Sequence, residues 1–126
     1  MTFCIGIRVR AGLVVLSDTR VVKGSETSRK SKLTDGTSQA VLMTSGLRSV
    51  RDKVVARLTD RLESEPGRTR FHELANAYGD ELHAVRTEDE TALAAGGLTF
   101  NSNAILAGRF PGDSTPMLMH VYPEGN

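Results

Sequence analysis

The chain has 126 residues, a length that fits one domain or a piece of a larger one. Hydrophobic residues at 39% and charged residues at 25% are the proportions of a globular protein, not of a disordered or fibrous one. A net charge of +1 and an aromatic share of 5% argue against a nucleic acid or a membrane surface as the main partner.

No apolar run approaches the ~20 residues of a membrane span, and no basic-then-apolar leader opens the chain. The single cysteine, Cys4, cannot form an internal disulfide, so a reducing cytoplasm is the expected compartment. Between Phe3 and Ile5 it reads as a small buried hydrophobe.

Residues 3–10 roughly alternate apolar and polar and predict a strand. Ala11-Gly12 predicts a tight turn, and residues 13–16 the returning strand of a hairpin. Residues 23–31 are polar and read as a loop. Lys32, Leu33 and Thr34 are a short strand candidate, and Asp35-Gly36 is a hairpin signal because both residues tolerate positive φ. Residues 39–45, with Ala40 to Met43 at their centre, predict a buried strand.

Helical periodicity begins at Leu47. Leu47, Val50, Val54, Leu58 and Leu62 recur at spacings of three and four, which puts them on one face. Arg48, Arg51, Arg57 and Arg61 are expected on a solvated face, with subunit contact as the functional alternative. Pro66-Gly67 stops this helix. A second helix is predicted from Phe71, Leu74, Ala75, Tyr78, Leu82 and Val85, with an acidic end at Glu88, Asp89 and Glu90. Residues 104–108 and 116–122 read as paired strands around a turn at Pro111, Gly112 and Asp113. Strands, two helices and strands again suit an α+β layer protein.

The residues with chemical promise gather at the N-terminus. Thr2 follows Met1, and a small second residue permits removal of the initiator methionine. The hydroxyl of an N-terminal threonine can then use its own α-amine as the base. That amine has a reference pKa near ~7.7–8.0, and a neighbouring ammonium would lower it further. A lysine held by a carboxylate would do this, and Asp18 and Lys32 are the candidates. Gly46 ends a strand just before a helix, where an unobstructed backbone N–H could stabilise an oxyanion. Taken singly, these residues have ordinary readings. Asp18 would be a turn residue, Arg20, Lys30 and Lys32 a solvated basic edge, and Gly46 a connector. His72 and His83 share a helix face without a carboxylate at ligand spacing, so no metal site is expected. His120 reads as structural.

Thr2-Phe3-Cys4, the segment from Gly12 through Asp18 to Arg20, Lys32-Leu33, and Met43 to Gly46 resemble the signature segments of proteasome β-type subunits. Within that family the likeness is greatest to the bacterial branch called Anbu, the ancestral β subunit. The resemblance implies a four-layer αββα sandwich of the N-terminal-nucleophile hydrolase type, with residues 1–126 as the leading part of one such domain. It further implies hydrolysis of a peptide or related amide, without metal or organic cofactor. Thr2 would be the nucleophile, Asp18 and a lysine its tuning pair, and Gly46 the oxyanion donor. Arg20 enters with the segment it closes. Lys32 keeps the family's apolar follower and is favoured as the lysine. Lys30, in an Arg-Lys pair common in the Anbu branch, is the alternative. The resemblance implies assembly of many copies in a ring or open spiral, the latter through an interface that does not close. Two alternatives are a non-catalytic scaffold subunit of the same fold and an amidohydrolase acting on a small amide.

Overall fold

A computed structural model describes residues 3–17, 29–35 and 38–126. Its elements run β1 (Cys4–Val9), β2 (Gly12–Ser17), β3 (Arg29–Asp35), β4 (Ser38–Gly46), α1 (Arg48–Ser64), α2 (Phe71–Ala95), β5 (Ser102–Arg109) and β6 (Met117–Val121).

β1 and β2 form an antiparallel hairpin in which Cys4 pairs with Ser17 and Val9 with Gly12. The turn is therefore Arg10-Ala11, one residue earlier than the glycine suggests. The other four strands make one antiparallel sheet in the order β3-β4-β5-β6. Asp35 pairs with Ser38 and is the last residue of β3, so it is a strand residue and not half of the turn that the Asp-Gly signal predicts; residues 36 and 37 fall outside the described part. β3 starts at Arg29, three residues before the expected strand, so Lys30 belongs to the sheet and not to a loop.

Alternation in β4 and β5 divides the four-stranded sheet into two working faces. Ala40, Leu42, Ala104 and Leu106 join the core built with the helices. That core takes in every periodic residue of both helices, from Leu47 through Leu62 and from Phe71 through Val85. The opposite face carries Met43 and Ile105, and β1 lies against it. A Cβ added at Gly6 would meet Leu118 and Ile105 side chains, so the glycine lets the two sheets approach closely. The layers are thus helices, four-stranded sheet and two-stranded sheet.

The basic side of α1 is not simply solvated. Lys53 bonds Asp89 at 2.8 Å, Arg57 bonds Glu88 at 2.8 and 2.9 Å, and Arg61 bonds Asp80 at 3.1 Å. As α1 positions rise, their α2 partners fall, the order expected of antiparallel neighbours. Glu88 and Asp89 therefore do not end α2, which continues to Ala95. Arg51 is also buried at 6% exposure, with a 2.6 Å ion pair to Asp52.

Exposed pairs of this kind each contribute little to stability. Arg57 and then Lys53 hold the Glu88 carboxyl at about 2, below its ordinary 4.5. A carboxyl with a lowered folded-state pKa stabilises the fold above 4.5 and loses that contribution as pH falls toward 2. Melting temperatures of wild type and Glu88→Gln should therefore differ at pH 6 and converge by pH 2. A difference that grows on acidification would contradict the pairing.

A capping device at α2 is hidden in the later hairpin. Asp113 Oδ2 accepts hydrogen bonds from Phe110 N at 3.0 Å and Phe71 N at 2.9 Å. It satisfies one of the free N–H groups of the first helical turn from a segment distant in sequence.

Candidate functional site

Thr2, Asp18 and Arg20 lie outside the described residues. What is described is the frame around them. Cys4, two residues after Thr2, pairs with Ser17, immediately before Asp18. The ends of this hairpin therefore bring the flanks of Thr2 and Asp18 together.

Cys4 sits over the four-stranded sheet, with its Sγ 4.0 Å from the Thr44 carbonyl oxygen. It forms one wall of a cavity of about 250 Å³, whose other lining residues include Met43, Ser45, Asn103, Ile105 and His120. His120 also stacks on Tyr122, with ring centroids 4.2 Å apart. Among the described residues no cluster of histidine, cysteine or carboxylate side chains is suited to a metal ion.

The two lysine candidates occupy neighbouring strand positions. Lys30 pairs with Met43 and Lys32 with Val41. Being two apart in a continuous strand, positions 30 and 32 share a face. Met43, the partner of position 30, lines the cavity beside Cys4, and Val41 lies one step farther along β4.

Gly46 closes β4 and pairs with Ser102. Its φ of +117° is strained for any residue with a side chain, and a Cβ there would collide with the Asn101 carbonyl. The next amide, Leu47 N–H, donates to that same carbonyl at 2.9 Å. The glycine thus has a structural cause of its own, the close passage of two backbones where β4 turns into α1.

Three buried hydroxyl residues received no functional role from the sequence. Thr44, Tyr78 and Ser102 are buried, and their hydroxyls have no hydrogen-bond partner within standard geometry among the described residues. Hydroxyls in a strand–helix core carry no sequence signature that separates them from ordinary packing residues.

Two helices over an antiparallel sheet, a short hairpin on the other side and a glycine turn between strand and helix make this an α+β layer protein. No protein-family model and no curated protein matches the chain. Solved structures do, Anbu proteins among them. Anbu from Yersinia bercovieri is 26% identical over 98% of this chain, with a TM-score of 0.77. The Anbu (Gly-1) mutant from Hyphomicrobium sp. strain MC1 is 26% identical over the full chain, with a TM-score of 0.75. The helical assembly of the Anbu complex from Pseudomonas aeruginosa, at 24% identity over 98% of this chain, agrees in fold with a TM-score of 0.81. The chain spans 54% of each of these solved chains, about half their length. The likeness to the Anbu branch read from the sequence therefore extends to the three-dimensional fold. No described helix is long and apolar enough to cross a membrane.

Proposed function

We propose that this chain is the leading part of a threonine-type amide hydrolase subunit of the Anbu kind, with Thr2 as nucleophile once Met1 is removed. The observation that carries the reading is the meeting of three segments. The hairpin end flanking Thr2 and Asp18 packs over Met43 and Ser45, which lead directly into Gly46. In this reading the Thr2 hydroxyl attacks the scissile carbonyl carbon while the α-amine takes its proton. The Gly46 N–H stabilises the oxyanion, the ammonium returns a proton to the leaving nitrogen, and water releases the acyl group from the ester.

The strand register supports Lys30 over Lys32 as the lysine that lowers the amine pKa, reversing the preference drawn from sequence. Position 30 pairs with Met43 at the cavity under Cys4, whereas position 32 pairs one step farther away. Asp18 anchors that lysine, and Arg20 follows in the same segment.

Phe3, Ile7, Val9, Val14 and Leu16 are exposed large apolar residues. The β1–β2 register puts them in phase on the hairpin side away from the four-stranded sheet. An apolar face of this kind calls for a covering layer. A second helical layer there would complete the αββα sandwich. Peptides or proteins are the substrates of this reading, and copies of the subunit assemble in an open spiral or ring, supported by the helical assembly of the Pseudomonas aeruginosa relative.

Intact mass and electrophile labelling test the reading together. The mature protein should lack Met1, and a peptide epoxyketone should label wild type but not Thr2→Ala. Lys30→Ala should suppress labelling more strongly than Lys32→Ala. Retained Met1 in most molecules would block the amine and favour the scaffold alternative.

A further inference from the structure

The pairing of β4 with β5 runs one step past the last residue of β4. Ser45 lies opposite Asn103 and Gly46 opposite Ser102, and the Leu47 N–H then donates to the Asn101 carbonyl at 2.9 Å. Asn101 is thus the residue against which the chain turns from β4 into α1. Its carbonyl is also the atom that an added Cβ at Gly46 would meet first. A change in the direction of this one carbonyl would move both the Leu47 amide and the Gly46 backbone.

Asn101 stands just before β5, which begins at Ser102, so the regular strand ladder does not fix it. Its side chain is held by Asn103, whose Nδ2 donates to Asn101 Oδ1 at 3.2 Å. Positions two apart on an extended chain point to the same side, which makes this contact a short one. Both residues are half-buried, and Asn103 lines the cavity beside Cys4 and Ser45. Asparagine is a poor strand former, so two of them at the opening of β5 have a local cause, and the bond between them is one.

We infer that Asn103, acting through Asn101, is a positioning residue for the Gly46–Leu47 turn. The side-chain bond steadies the Asn101 backbone, and the Asn101 carbonyl then holds the Leu47 amide and, with it, Gly46. The catalytic consequence rests on the hydrolase reading, in which Gly46 is the oxyanion donor. The positional claim stands on the two hydrogen bonds alone.

Hydrogen exchange at the Leu47 amide reads the turn directly, because substitutions at 101 and 103 leave the intrinsic exchange rate of that amide unaltered. In Asn103→Leu, which keeps the size and removes the donor, exchange at Leu47 should accelerate about fivefold relative to the Leu42 amide, as for the loss of one ordinary hydrogen bond. Asn101→Leu should do the same, and the double variant should add nothing beyond either single change. Asn101→Asp keeps the acceptor and should exchange as wild type does. Epoxyketone labelling of Thr2 should slow in maximal rate by a similar factor in both leucine variants, with the half-saturating concentration unchanged. Unchanged exchange at Leu47, or uniform acceleration across β4, would overturn the positioning role. So would a labelling defect of Asn103→Leu confined to the half-saturating concentration, since Asn103 would then be only a wall of the cavity. Absence of labelling in wild type would instead remove the hydrolase reading and leave the exchange result to decide the positioning role.

Discussion

Gly46→Ala is expected to lower stability severely, and by much more than the same change at Gly67. Both glycines have positive φ, +117° and +99°. Forcing a side chain into that region costs on the order of 1–3 kcal/mol. At Gly67 nothing lies within 4 Å of an added Cβ, so that strain is the whole penalty. At Gly46 the Cβ would also run into the Asn101 carbonyl, a backbone atom that cannot rotate away. Overpacking of this kind adds about 1–3 kcal/mol. The Leu47-to-Asn101 hydrogen bond would stretch as the two backbones separate. Urea unfolding of the two variants in parallel isolates the second contribution. Equal midpoints for Gly46→Ala and Gly67→Ala would show that the close passage at Asn101 has no energetic weight. If the Gly46 variant remains folded, its loss of threonine labelling should exceed what its reduced stability explains, because its N–H would also be displaced.

The legible parts of this chain are those where one local rule decides the structure. Leu47 through Leu62 and Phe71 through Val85 follow a helical period, and every one of those residues is in the core. Gly46 was legible as the connector between β4 and α1, where its positive φ and the nearby Asn101 carbonyl leave no room for a side chain. The misses come from long-range pairing. Arg29, Lys30 and Ser31 are too polar to announce a strand, but β4 supplies a full partner edge and draws them into the sheet. Glu88 and Asp89 resemble a helix end, yet they sit opposite Arg57 and Lys53 and remain mid-helix. Arg51 follows Leu47 by four residues, which places it at the flank of the buried face. For the site, the sequence supplied chemical types in order. It could not supply the register that pairs position 30 with Met43 and position 32 with Val41.

Leu58→Asp is expected to leave the domain unfolded. Leu58 has no exposed surface and lies in the layer between α1 and the four-stranded sheet. Truncation to alanine alone would cost about 2–5 kcal/mol through lost burial and the remaining cavity. Aspartate adds a carboxyl in an apolar layer, which must stay protonated there or pull water in, at a further cost of several kcal/mol. Together these approach the ~5–15 kcal/mol that holds a typical domain folded. The ion pairs on the other side of α1 cannot offset this, because they are exposed and weak. Thr59→Asp, one residue on and exposed, should keep the wild-type unfolding free energy to within about 0.5 kcal/mol. Leu58→Ala should lie between, folded but with a clearly lower midpoint. Circular dichroism and urea titration of the three variants test the order. A folded Leu58→Asp with a wild-type midpoint would mean that α1 does not pack its periodic face on the sheet.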